Sequence, residues 1–178
     1  MIRTFLGKHP KLDPSVFVSE AAYVVGDVTI GAGSSVWPGA VIRGDVCAIR
    51  IGANTHIEDN STVHHGPDGI DIGDNVTVGH NVVVHCRRIG DGTLVGNGAT
   101  LLDGAEIGAH CVVAAGAVVR PGTNAPDSSF LVGVPAEVRP LPENLREHTS
   151  RWNAGYGQLA AQHLASGLGD EIVSPPGG

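Results

Sequence analysis

Along most of this chain an aliphatic residue returns every six positions. The series runs Val18, Val24, Ile30, Val36, Ile42, then Ile51, Ile57, Val63, then Ile72, Val78, Val84, and continues through Ile89, Val95, Leu101, Ile107, Val113 and Val119. A helix of about 3.6 residues per turn would scatter these side chains around its circumference, whereas a period of six suits short strands joined by turns. Four residues after each aliphatic slot stands a small or β-branched residue, as at Ser34, Ala40, Thr55, Ser61, Thr93 and Cys111. Glycine often follows the aliphatic slot directly, as at Gly31, Gly52, Gly73 and Gly90. Large, gap, small is the layering of a narrow prism with tight corners.

The irregularities group the strands. Ile42 to Ile51 and Val63 to Ile72 are nine apart and Val84 to Ile89 five apart, so breaks fall after every third strand. Three strands then make one coil of an all-β triangular solenoid, with the extra residues bulging at one corner, as at 65–69. Successive coils stack at about 4.8 Å. After Val119 the period ends, and Val134-Pro135-Ala136 opens a connector. From Glu143 the spacing becomes helical: Leu145, Trp152, Tyr156, Leu159, His163 and Leu164 form one stripe of an amphipathic α-helix reaching about Ala165. Residues 1–140 are thus expected to form the repeat domain and 141–178 the helix and a frayed tail.

Composition narrows the classes. With 42% hydrophobic residues but only 4% aromatic, small and β-branched side chains must fill the core. A net charge of −7 argues against nucleic acid and anionic membrane surfaces. No long apolar run follows the charges near Met1, which points to a cytoplasmic address. Cys47, Cys86 and Cys111 are odd in number and lack CxxC spacing, so all three read as thiols.

The repeat phase also places the polar residues. Arg43, His64 and His85 directly follow Ile42, Val63 and Val84 and share one vertical column. Two imidazoles on adjacent rungs start about 5 Å apart and can share a metal through bonds of about 2.1 Å. His80 falls two residues after Val78, on the neighbouring strand column above Asp59. One chain does not readily bring all three rings to one ion. A threefold trimer can, by setting His64 and His85 of one subunit against His80 of the next, with Arg43 facing Asp59 across the seam. Three histidines leave the fourth position of a tetrahedral zinc open, as a catalytic site requires.

The run Arg43-Gly44-Asp45, the block Ile57-Glu58-Asp59-Asn60-Ser61, His64 six residues after Glu58, and Val78-Gly79-His80 followed by His85 resemble the γ-class carbonic anhydrases. The resemblance covers about residues 10–140, and the helix with Tyr156 is similar to that group's C-terminal segment. It implies a left-handed parallel β-helix, a homotrimer, and a zinc, iron or cobalt ion held by His64, His80 and His85. It implies reversible hydration of carbon dioxide to bicarbonate, with Arg43 and Asp45 at the interface, Glu58 beside the water and Tyr156 approaching the pocket. Glu58 stands where the family commonly has glutamine, and His56 where asparagine is usual. Arg43 and Asp45 also read as interface ties alone, and Tyr156 as a packing residue. Two other classes fit the repeat: acyl chemistry, as a transferase or CoA-thioester hydrolase, and an inactive metal-binding trimer.

Overall fold

The computed structural model describes residues 1–64 and 68–170, leaving aside the side chains of 147–150. The corner expected at 65–69 therefore lies partly outside the described residues. The chain winds as a solenoid of short parallel strands, and the inward residues stack in registered columns. Val36, Ile57, Val78, Val95 and Val113 align on one face. Ile42, Val63, Val84, Leu101 and Val119 align on the next, and Ile51, Ile72, Ile89 and Ile107 on the third. These side chains form one core cluster. The small slots lock the coils together, because each hydroxyl both donates to and accepts from the backbone of the coil above. Thr55 Oγ1 donates to the Gly73 carbonyl at 2.8 Å and accepts from Val76 N at 3.1 Å. Ser61 does the same with Gly79 and Val82. Corners turn through left-handed residues, and asparagine fills several of them, at Asn54, Asn60, Asn75 and Asn81.

The nine-residue interval from Ile42 to Ile51 is resolved differently from a projecting loop. Val41–Ile51 is one continuous strand around that corner, paired with Tyr23–Ile30. Its register shifts between Gly26 and Val28, whose partners are Gly44 and Ile49. The surplus residues 45–48 bulge there, as a strand does when it opposes a shorter partner. The expected connector at Val134-Pro135-Ala136 is a hairpin: Ala136–Pro140 pairs antiparallel with Ser129–Gly133 and closes the sheet.

The three outer surfaces differ in chemistry. One carries the ladder Thr29, Arg50, Asp71, Arg88, Glu106, Asn124, charged along its middle. A second is covered by the helix Glu143–Ala165, which packs on strands Phe17–Val18, Ser35–Val36, His56–Ile57 and Thr77–Val78. The third presents Tyr23, Val41, Thr62, Val83, Thr100 and Val118, without a charge.

The helix has the expected span, but its buried stripe is rotated. Trp152, Leu159 and Leu164 are exposed, whereas Asn153 and Ala160 are buried. Hydrophobic spacing misplaces the stripe because the contact is made by small and hydrogen-bonding residues. Ala160 lets the helix approach Phe17 and Trp37, and the Asn153 amide donates to the Asn54 carbonyl at 2.8 Å. Tyr156 and His163 complete the contact, their rings 5.5 and 5.1 Å from Trp37.

Candidate metal centre

The strand register puts His64 directly beneath His85, since Val63 pairs with Val84. Their ring centroids are 5.7 Å apart. Two imidazoles on one tetrahedral ion, with bonds of about 2.1 Å, have centroids roughly 5 Å apart, so the pair needs little adjustment to share one. Arg43 is below them in the same column and Leu102 above. Cys86, next to His85, faces the core instead, and burial pushes its thiol up to about 12.

The bulge at 45–48 brings Asp45 back to this column. Its carboxylate accepts from Arg43 Nη1 at 2.6 Å and contacts His64 Nε2 at 3.1 Å. Partial desolvation works against the charge, but the Arg43 hydrogen bond and charge hold the carboxyl below its ordinary range. Within one chain Arg43 is thus paired with Asp45, and a meeting with Asp59 requires a second subunit.

His80 sits on the corner that follows the helix-covered face. Asn97, one coil higher, accepts from its backbone N–H at 3.0 Å. Its ring is flanked by Asp59 at 3.2 Å on Nδ1 and by Glu58 at 3.1 Å on Nε2. The Tyr156 hydroxyl lies 3.3 Å from the same Nε2 and hydrogen-bonds to Glu58. Burial raises the Glu58 pKa, against the opposing pull of His80 and Tyr156. Tyr156 is itself raised by burial and by Glu58. Beside this group a groove of about 350 Å³ is lined by Leu94, Val95, Ala115, Trp152 and Tyr156.

His64 and His80 therefore have carboxylate neighbours, as imidazoles that bind metals commonly do, and Asp103 supplies one to His85. The donor set suits a divalent ion: neutral imidazoles for ligation and carboxylates to fix them. Among the described residues, no three His, Cys, Asp or Glu side chains form a group able to hold a metal ion within the chain. His64 and His85 share a column, and His80 occupies another corner.

Asp103 was missed by the sequence reading. It stands one coil above His85, with Oδ1 2.5 Å from Nδ1. Extending the slot count by one coil finds it, since Leu101 is the rung partner of Val84. His56 lies beneath the helix, 1% exposed. Its Nδ1 is 2.8 Å from Ser35 Oγ, which also accepts from Trp37 Nε1 at 2.8 Å. Ser35 has two lone pairs and one proton, so this contact admits either tautomer of the His56 imidazole. Burial lowers its pKa from 6.5 to about 4.

Two repeat families match the chain: the bacterial transferase hexapeptide (six repeats) over residues 88–121 and the hexapeptide repeat of succinyl-transferase over 48–86. "Gamma carbonic anhydrase 1, mitochondrial" of Arabidopsis thaliana is 43% identical over 166 residues, covering 89% of this chain and 60% of that protein. The chain belongs to the γ-carbonic-anhydrase-like family of hexapeptide-repeat proteins. It spans 60% of the length of that plant relative. Another relative, carnitine operon protein CaiE of Escherichia coli, is 36% identical, with 74% of this chain and 68% of that protein covered. A crystal structure from Bacillus cereus, described as a candidate acetyltransferase, superposes with a TM-score of 0.89 at 35% identity, covering 93% of this chain and 97% of that one. Among the described residues no helix is long and apolar enough to cross a membrane.

Proposed function

We propose that this protein is a metal-dependent carbonic anhydrase that hydrates carbon dioxide reversibly at the seams of a homotrimer. The observation that carries the reading is the division of the ligands: His64 and His85 stacked 5.7 Å apart on one column, His80 on another. His64 and His85 of one subunit and His80 of the next would hold zinc, iron or cobalt. The uncharged surface of Val41, Thr62, Val83, Thr100 and Val118 supports that assembly, because it can be buried against a second copy without stranding a charge. A bound ion supplies Lewis acidity that lowers a water's pKa from about 15.7 to about 7. The relatives named carbonic anhydrase support the reaction; the cytoplasmic address is proposed on the sequence alone, the plant relative being named mitochondrial.

The chain's own groups fit the remaining tasks. Glu58, with its raised pKa, takes the proton that water loses as it adds to carbon dioxide, and passes it to solvent past His80. Tyr156 holds Glu58 in place through its hydroxyl. Arg43, fixed by Asp45, offers a cation to the bicarbonate that forms. A second reading, acyl transfer or CoA-thioester hydrolysis, is favoured by the groove of about 350 Å³ beside His80, which is large for carbon dioxide.

Metal analysis, light scattering and stopped-flow hydration test the proposal together. A trimer with an ion at each seam and proton-releasing carbon dioxide turnover is expected, and His85→Ala should lose both metal and activity. A monomer that retains its ion, or full metal content in His85→Ala, refutes the ligand assignment. A metal-loaded trimer that cleaves thioesters but does not hydrate carbon dioxide selects the second reading.

A further inference from the structure

The two stacked histidines are held from opposite ends and by different nitrogens. Asp45, below, contacts His64 through Nε2 at 3.1 Å. Asp103, above, contacts His85 through Nδ1 at 2.5 Å. A carboxylate accepts but does not donate, so the proton in the upper bond belongs to the imidazole. His85 then carries its hydrogen on Nδ1 and keeps the lone pair on Nε2. We infer that Asp103 is the positioning residue of the centre: it fixes His85 in the Nδ1–H tautomer and so selects Nε2 as the metal ligand. This rests on the metal-centre reading above and names a residue outside the ligand set.

The placement of Asp103 follows from the fold. Leu101 is the rung partner of Val84, which puts Leu102 directly over His85 and Asp103 at the following corner position. The Asp103 carbonyl is fixed in turn by Gly122 N at 2.8 Å. The carboxylate thus approaches His85 from the coil above, while His80 of a neighbouring subunit approaches from the side. A free imidazole samples both tautomers, and only one leaves Nε2 able to ligate. A carboxylate on the other nitrogen also makes the ring a better donor, and removing such a partner typically costs about 10–100-fold in metal affinity.

The test uses the full-length assembled protein labelled with 15N-histidine, with the His85 resonances assigned through His85→Gln. Long-range proton–nitrogen correlation spectra of the metal-free protein read the tautomer directly, and zinc affinity is measured by competition with a chromophoric chelator. Wild type is expected in the Nδ1–H form. Asp103→Ala should shift His85 toward Nε2–H and weaken zinc by about 10–100-fold, with the melting temperature of the metal-free protein unchanged. Asp103→Asn, which keeps a neutral acceptor, should fall between the two. An unchanged tautomer in Asp103→Ala overturns the inference, as does an unchanged zinc affinity. If wild type binds no zinc, the metal-centre reading fails, and the tautomer alone decides whether Asp103 sets the ring.

Discussion

Burial of His56 makes a prediction whose size can be worked out. The ring is 1% exposed, and its pKa falls from 6.5 to about 4. It is enclosed by Ser35 and Trp37 from the sheet and by Tyr156 and Gly157 from the helix, none of which is charged between pH 5 and 7. Above pH 6.5 the folded and unfolded chains both hold it neutral, and it contributes no pH dependence. Below that, the unfolded chain gains a proton that the folded chain refuses, so stability falls until the folded value near 4 is passed. A shift of about 2.5 units at about 1.4 kcal/mol each caps the loss at about 3 kcal/mol. About 2 kcal/mol of it accrues between pH 7 and 5.

His56→Asn removes the titration while leaving a polar side chain at the site. Urea unfolding at fixed protein concentration, followed by tryptophan fluorescence, should show wild type losing about 2 kcal/mol more than the variant between pH 7 and 5. Fixed concentration matters because assembly itself shifts apparent stability. Other titrating groups are common to both proteins and cancel in the difference. Parallel pH profiles would show that the pocket accepts the charged ring and refute the reasoning.

Two further outcomes follow from the same geometry. Mixing His80→Ala subunits with His85→Ala subunits, each unable to form a complete centre alone, should restore metal at about a quarter of the seams after random reassembly; no recovery would contradict a centre shared between chains. Gly44→Ala places a Cβ 2.6 Å from the Asp27 carbonyl oxygen and 2.9 Å from its carbon, both backbone atoms. The strand must move where it carries Arg43 and Asp45, so a loss of about 3 kcal/mol in stability by denaturant titration, together with weakened metal binding, is the expected result.

The sequence by itself determined the coil. A six-residue period admits one inward slot per short strand, and that phase alone placed His64 under His85 and Asp59 under His80. Local alternation and corner chemistry carry this information, because each rung pairs with the next at a fixed register. Tertiary structure decided what contacts across rungs and between elements settle. The surplus residues after Ile42 became a bulge within a continuous strand, which returned Asp45 to His64. The helix turned Asn153 and Ala160 inward instead of Trp152 and Leu159, since close approach and a hydrogen bond to the Asn54 carbonyl outweighed hydrophobic spacing. Asp103 reached His85 from 18 residues away. Period fixes where a side chain leaves the prism; which partner it meets there depends on the coil above, the bulge beside it and the helix laid across it.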